Sequence, residues 1–293
     1  MQTINKGFAY IIFAGFFYAV MAVFVRLLAK EIPVFSQVFL RYIVASTVAF
    51  SFAKVTKTDL KMKNARDYFV MLFIAVVGYS LSTLFFTFAV LHTTIANTIF
   101  IFSTYVIITP ILGFIFLHEK ISRFIILALI LSFIGLYLLL NPANLNSSLG
   151  GIFALIGAIL NASYFIGSRK LRNYPAKLLL FYSTICGVIS MGIISLFFER
   201  NFYIQGITPN IFSLSKFSWI IVFLFGIDNF LAWLLLNKGL QTVKAGTSSI
   251  ILLIEPVLAS ILGIIFYMEI PQITSILGMI IISSGIILAT KEK

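Results

Sequence analysis

The amino-acid sequence predicts an all-α polytopic membrane protein, with ten transmembrane helices arranged as two inverted five-helix repeats and both termini in the cytoplasm. Three observations predict this fold class. The composition is too apolar for a soluble chain, runs long enough to cross a bilayer recur along the whole length, and landmarks of the first half return in the second.

The composition excludes a soluble protein. Of the 293 residues, 61% are hydrophobic and 10% are charged, whereas an ordinary soluble domain has about 25% charged residues. So few charged side chains cannot cover the surface of a soluble fold of this size. Ten spans of about 20 residues take about 200 residues, and the remainder is too short for a soluble domain of about 50 residues or more. An appended kinase, nucleotidase or DNA-binding module is therefore excluded.

Runs with little or no charge give the ten helices directly. The neutral stretch between Arg123 and Arg169 is too long for one span, and the polar segment from Asn141 to Gly151 divides it into two. We predict helices from about Gly7 to Val25, Pro33 to Ala53, Tyr68 to Leu91, Thr93 to Leu117, Phe124 to Leu140, Leu149 to Ser168, Leu178 to Phe198, Phe217 to Asn237, Ala245 to Met268 and Pro271 to Thr290.

The positions of lysine and arginine predict the orientation. Sixteen of the 21 basic residues fall in segments on the side of the termini, four fall on the opposite side, and Arg41 lies within a helix. Cytoplasmic loops carry the excess of basic residues, so both termini are expected inside. The net charge of +12 is then a topology signal with a secondary affinity for anionic lipid headgroups, and we expect no nucleic-acid partner.

An internal repeat divides the chain into residues 1–143 and 144–293. Because each half contains five helices, an odd number, the second half must be inverted relative to the first, as in many secondary transporters. A shift of 144 residues aligns Gly7, Ala14 and Arg26 with Gly151, Ala158 and Lys170, and a shift of 150 aligns Gly113, Glu119 and Gly135 with Gly263, Glu269 and Gly285.

Particular motifs resemble the EamA branch of the drug/metabolite transporter superfamily. They are the Phe-Leu-Arg-Tyr-Ile-Val-Ala stretch at 39–45, Glu119 and Glu269 after the fourth helix of each half, and Glu255-Pro256 within helix 9. The resemblance covers nearly the whole chain and implies an exporter whose pathway is lined by helices 1, 3, 4, 6, 8 and 9. This sequence departs from the pattern at Tyr105-Val106, where the repeat would place Glu-Pro.

Three ionisable residues lie at membrane depth, namely Arg41 in helix 2, Asp228 in helix 8 and Glu255 in helix 9. A charge there costs at least about 2.5 to 3.5 kcal/mol, so each must be paired, hydrated or neutral. Burial favours the protonated form of a carboxyl, which makes either acid a candidate proton carrier. The alternative for Asp228 and Glu255 is a buried structural carboxyl. Arg41 either extends to the membrane interface or serves as a counter-ion.

Polar stripes predict a hydrated, aromatic-lined pathway between helices, because a polar helix face in lipid must meet protein or water. Single Ser or Thr residues can instead bond back to their own helix, so each stripe is more informative than its members. The stripes are Tyr79, Thr83 and Thr87; Thr94, Thr98, Tyr105 and Thr109; Asn161, Tyr164 and Ser168; and Asn229, Trp233 and Asn237.

Two prolines are candidate hinges. Pro256 removes an amide donor and leaves the Leu252 carbonyl without its usual partner, so a neighbouring group must satisfy it. Pro110 offers a similar break in helix 4, and the kink of the first half is expected to be displaced to it. Ordinary proline kinks of membrane helices remain the structural alternative for both.

We expect a secondary transporter of a small polar metabolite, such as an amino acid or related organic compound, in the inner membrane. Its expected partners are this substrate, membrane lipid and a proton as coupling ion, in a monomer or homodimer with no cofactor. A carrier of an anionic or nucleotide-like metabolite is the alternative, although it would need several cations in the pathway. An intramembrane lipid-modifying enzyme is a further class, but zinc, magnesium and nucleophile-elbow motifs are missing.

Overall fold

The computed structural model describes residues 2–142, 149–206, 210–268 and 270–291. Ten helices in these ranges are long and apolar enough to cross a membrane, which confirms the predicted number. Predicted landmark Glu269, and residues 143–148 of the segment between the halves, lie outside the described residues. The helices are α1 (Gln2–Leu28), α2 (Val34–Val55), α3 (Ala65–His92), α4 (Ile95–Leu117), α5 (Arg123–Leu140), α6 (Leu149–Lys170), α7 (Ala176–Phe198), α8 (Lys216–Thr242), α9 (Ala245–Tyr267) and α10 (Ile273–Thr290).

The pairs of helices that pack together stay the same when each helix is replaced by its counterpart in the other half. Helix α1 packs on α8 and α9, and its counterpart α6 packs on α3 and α4. The remaining major partners are α2 with α7, α4 with α9 and α5 with α10, each joining equivalent helices, while α2 with α8 corresponds to α7 with α3. This pattern, with five spans in each half, confirms the inverted repeat.

Helices α5 and α10 come together through small residues, since lipid supplies no hydrophobic force between helices and close packing must supply the attraction. A Cβ atom on Gly278 would lie 2.5 Å from the carbonyl oxygen of Gly135 and from the amide nitrogen of Leu139. Glycine is therefore required for this approach of the two backbones.

Helices α4 and α9 are each interrupted, and the two breaks occupy equivalent positions. Helix α4 consists of Ile95–Phe102 and Tyr105–Leu117, and α9 consists of Ala245–Ile251 and Ile254–Tyr267. The expectation that the first-half break is displaced to Pro110 is wrong, because Pro110 lies inside a continuous helical segment.

The two breaks share one backbone hydrogen-bond pattern, since the amides of Thr104 and Leu253 each donate to the carbonyl three residues earlier at 3.1 Å. In α4 the hydroxyls of Ser103 and Thr104 donate to the carbonyls of Ile99 and Ile101, both at 2.7 Å. In α9 the Glu255 amide donates to the Leu252 carbonyl at 2.9 Å, so the chain itself satisfies the group that Pro256 was expected to leave unpaired. Proline there is the third residue of its segment, where a helix leaves the N–H groups unpaired in any case.

Helix α3 widens to a π-helix over Ile74–Leu81. A Cβ atom on Gly78, within this turn, would lie 2.8 Å from the backbone nitrogen of Tyr164, so α3 and α6 are in close contact here. Short π segments are often found at functional sites, and this one holds Tyr79 against the centre of the protein.

Candidate functional site

An aromatic cluster occupies the centre of the helix bundle. The Trp233 ring lies 4.6 Å from that of Tyr79, 4.7 Å from Tyr164 and 5.5 Å from Tyr18, all edge to face. Tyr42 stacks on Tyr79 at 5.0 Å. These five residues, called the tyrosine–tryptophan cluster below, come from α1, α2, α3, α6 and α8 and therefore from both halves.

Hydrogen bonds join the cluster to polar residues. The Tyr79 hydroxyl donates to the Asn229 side-chain oxygen at 3.3 Å, which links the first half to the second. The Tyr164 hydroxyl and the Asn237 amide are 2.9 Å apart. Tyr42 and Thr83 share a hydrogen bond of 3.1 Å. The predicted stripes of α3, α6 and α8 thus meet at one place.

Arg41 and Asp228 face each other across α2 and α8 without forming a close ion pair. A Cβ atom on Gly226 of α8 would lie 3.1 Å from the Arg41 carbonyl oxygen, so the two helices are in close contact here, but no salt bridge within 4.0 Å joins Arg41 and Asp228 in the described part of the chain. The guanidinium lies 4.9 Å from the ring centre of Phe225. Nε of Arg41 and Oδ2 of Asp228 are both buried with no hydrogen-bond partner. One donor and one oxygen atom are therefore available here to bind a polar ligand.

Glu255 lies at the break of α9 and faces α1 and α4. Its backbone nitrogen would be 3.6 Å from a Cβ atom on Gly15, so α1 passes directly over the break. Glu255 is half-buried, and among the described residues no side chain donates a hydrogen bond to its carboxyl. A partly accessible carboxyl without a partner can accept a proton or a ligand.

The remaining predicted pathway residues are close by but less informative. Tyr105 stacks on Phe165 at 5.5 Å. Thr98 is buried and its hydroxyl has no hydrogen-bond partner, whereas Asn161 is at the limit of burial with 9% of its surface exposed. Thr83 also bonds back to the Tyr79 carbonyl at 2.8 Å, the structural alternative for a hydroxyl in a helix.

An ion pair closes the core on the side of the termini. Nε of Arg169 lies 3.1 Å from Oε1 of Glu119, and the side chains are only 10% and 15% exposed. Nη1 of Arg169 donates to the carbonyls of Leu240 and Gln241, both at 2.9 Å. Oε2 of Glu119 accepts from the Ala245 amide at 3.0 Å. The pair therefore fastens the ends of α4 and α6 to the turn between α8 and α9.

The opposite ends of α1 and α9 make the corresponding contact. The Tyr267 hydroxyl donates to the Val23 carbonyl at 3.1 Å, and the Arg26 guanidinium lies 5.0 Å from the Tyr267 ring centre. The counterparts of α1 and α9 in the other half are α6 and α4, so the α1–α9 contact is equivalent to the α6–α4 contact. Both ends of the molecule are thus closed by related helix pairs.

Sequence reasoning missed Tyr18, Tyr42 and the role of Arg169. Tyr42 directly follows Arg41 and could have been noticed on that ground, whereas Tyr18 lies in an aromatic-rich run with no polar pattern. Arg169 was counted with the topology-setting charges, yet only 9% of its surface is exposed. In the described ranges, no group of three His, Cys, Asp or Glu residues could hold a metal ion.

Comparison with known proteins identifies relatives over the whole length. The model of the EamA-like transporter family matches residues 5–141 and 148–291, one match for each half. A protein of Clostridium kluyveri described as an "Uncharacterized transporter" is 25% identical over 97% of this chain and 93% of its own. The "Uncharacterized transporter YetK" of Bacillus subtilis is 26% identical over 92% and 82%.

A solved crystal structure has the same fold. It superposes with a TM-score of 0.81 over 100% of this chain and 99% of its own, although the sequences are only 14% identical. At that identity the likeness concerns the arrangement of the helices.

Proposed function

The chain belongs to the EamA-like transporter family, and on that premise we propose that it is a secondary transporter of a small polar metabolite, an amino acid or related organic compound. It is a multi-pass membrane protein, and we propose the inner membrane as its location, both termini in the cytoplasm, and export as the direction of net flux.

One observation carries the proposal most strongly. The tyrosine–tryptophan cluster, the Tyr79–Asn229 hydrogen bond and the carboxyls of Asp228 and Glu255 lie between the two halves rather than inside one of them. Inverted-repeat transporters bind their substrates near the midplane at this interface. Aromatic faces with a few convergent polar groups are the usual lining of a small-molecule site.

The two related end contacts support alternating access as the mechanism we propose. The substrate reaches the termini side when α4 and α6 separate from the α8–α9 turn, which requires the Glu119–Arg169 ion pair to break. It reaches the other side when α1 separates from the end of α9 at Tyr267. The breaks in α4 and α9, at Ser103–Thr104 and Leu252–Leu253, supply positions where each helix bends. The proposed hinge Pro256 lies close to the second break, whereas the proposed hinge Pro110 lies farther along α4, inside its second segment.

We assign proton coupling to Glu255. Its carboxyl has no hydrogen-bonded partner among the described residues, it is half-buried, and it lies at a helix break. A carboxyl in that position can gain a proton on one side of the membrane and release it on the other. Asp228 is only 5% exposed and therefore less accessible to a proton, which makes Asp228 the weaker candidate.

Transport in proteoliposomes tests the function. We would measure uptake and efflux of a panel of radiolabelled amino acids, together with the amines and keto acids that correspond to them. We expect stereoselective flux of at least one compound, recovered unchanged, with loss in Trp233→Ala and retention in Trp219→Ala, whose ring is 42% exposed on the surface. Recovery of a chemically altered product would contradict a transporter.

The coupling assignment has a separate test in the same vesicles. In the wild type, an imposed pH gradient should drive accumulation of the transported compound. Glu255→Gln should abolish that accumulation while leaving downhill exchange, and Asp59→Asn in the α2–α3 loop is the matched carboxyl control. Accumulation that is unchanged in Glu255→Gln would contradict proton coupling at this residue and leave a facilitator.

A further inference from the structure

A separate cavity opens at the face of the protein that carries the termini. Its volume of about 590 Å3 is within the range of sites that bind small molecules. It lies between the ends of α4 and α6 and the beginning of α9, outside the Glu119–Arg169 ion pair. Its lining consists of Phe116, Leu117, His118, Glu119, Lys120, Arg169, Lys170, Arg172 and Lys244.

The cavity has a surplus of positive charge. Five of its residues are cationic, whereas Glu119 is the single carboxylate of the lining and is already bound to Arg169 and to the Ala245 amide. Lys120, Lys170 and Arg172 are exposed, and no carboxylate lies within 4.0 Å of them in the described ranges. A concave surface lined mainly by one sign of charge concentrates the opposite charge, so this cavity favours an anionic ligand.

The apolar wall of the cavity indicates where the anion comes from. Phe116 lines the cavity and is 65% exposed. Phe114 and Ile115, the residues before it on α4, are also exposed, and this surface of a membrane protein meets lipid chains. A ligand with an anionic head and apolar chains would satisfy both parts, whereas a soluble anion would leave the apolar wall without a partner.

We propose that this cavity is a binding site for the headgroup of an anionic phospholipid, with the phosphate among Lys120, Lys170 and Arg172 and the acyl chains along the exposed face of α4. Basic pockets between transmembrane helices are suited to such headgroups, and each basic residue near the surface adds to the attraction. Because the ion pair forms the inner wall, a bound headgroup stabilises the arrangement in which this end is closed.

The chain provides a matched control for general basicity. The α2–α3 connection carries Lys57 and Lys61, and the first turn of α3 carries Arg66, on the same face of the protein, but these residues do not line the cavity. The triple variants Lys120→Gln/Lys170→Gln/Arg172→Gln and Lys57→Gln/Lys61→Gln/Arg66→Gln remove the same charge from neighbouring places. Both sets are at the surface, so the variants should fold.

Native mass spectrometry and thermal unfolding of the purified full chain test the proposal, with phosphatidylglycerol and phosphatidylcholine as the added lipids. We expect one tightly bound phosphatidylglycerol per chain, a rise in Tm that phosphatidylcholine does not give, and binding weakened by about tenfold or more in the cavity triple variant only. Should a variant fail to fold, high salt applied to the wild type must displace the lipid.

Three results would overturn the proposal. Equal weakening in both triple variants would mean a diffuse attraction to the basic face. Equal stabilisation by glycerol phosphate or inorganic phosphate at the same concentration would mean a site for soluble anions. Equal binding of phosphatidylcholine would mean that charge plays no part.

Discussion

The Glu119–Arg169 ion pair provides the sharpest prediction about access from the termini side. In Glu119→Gln the arginine keeps its bonds to the carbonyls of Leu240 and Gln241 but loses its counter-ion. Removing one partner of a fully buried pair costs about 3 to 5 kcal/mol, and an exposed pair contributes about 0 to 1 kcal/mol. Since these side chains are 10% and 15% exposed, an intermediate cost of about 2 kcal/mol is expected.

If the pair forms only in the closed state, this whole cost shifts the equilibrium toward the open state. A shift of about 2 kcal/mol corresponds to a roughly 30-fold larger open population. Cys186 is the only cysteine of the chain, so Cys186→Ser gives a background without reactive thiols. Ser249 is fully buried beneath the pair, and Ser249→Cys reports access when a membrane-impermeant thiol reagent is added on the termini side.

We expect Glu119→Gln to accelerate labelling at position 249 by roughly 30-fold, while Lys57→Gln, an exposed change outside the cavity lining, leaves the rate as it is. Arg169→Gln should also accelerate labelling, and the double variant should show less than the sum of the two effects because the substitutions remove one shared interaction. Labelling of Glu119→Gln within twofold of the Lys57→Gln rate would refute the role of the pair in closing this end.

Four further predictions concern stability and binding. Gly278→Ala should lower Tm in detergent, since overpacking against the α5 backbone costs about 1 to 3 kcal/mol; an unchanged Tm would contradict the close approach. Pro256→Ala should change the unfolding free energy by less than about 1 kcal/mol, because proline in a first turn removes no helical hydrogen bond. Trp233→Ala should remove the rise in Tm that a transported compound gives the wild type, while Trp219→Ala keeps it. Hydrogen bonds from Ser218 and Ser215 lower the pKa of the Glu31 carboxyl from 4.5. The stability that Glu31 contributes is therefore complete above about pH 4.5 and is lost as the pH falls through the lowered pKa. Glu31→Gln should lower Tm at neutral pH, and the difference from the wild type should shrink as the pH is lowered below 4.5.

The number, order and inversion of the helices could be predicted from the sequence because lipid imposes a simple rule. A span must be about 20 apolar residues long, and an odd number of spans inverts a repeat. The convergence of Tyr79, Tyr164 and Trp233 was foreseeable for the same reason, since polar faces at membrane depth must turn away from lipid. Helical spacing then places the members of each stripe side by side.

Local backbone geometry accounts for what the sequence did not reveal. His118 ends α4 in the left-handed region at φ 54°, and the chain that follows carries Glu119 to Arg169, a contact that counting charges by loop cannot detect. The break in α4 forms without a proline, because the amides of Thr104 and Val106 donate to the carbonyls three residues earlier. The amides of Leu253 and Glu255 do the same in α9. Rules based on proline alone therefore placed this break wrongly.

Counterflow in proteoliposomes tests alternating access between the two halves most directly. Vesicles loaded with an excess of an unlabelled transported compound are diluted into a trace of the same compound carrying a radiolabel. A carrier with one site that is open to one side at a time should take up the label transiently above its equilibrium level, and this overshoot should disappear in Trp233→Ala but remain in Trp219→Ala. Monotonic equilibration of the label without an overshoot, in vesicles that do transport the compound, would contradict the account.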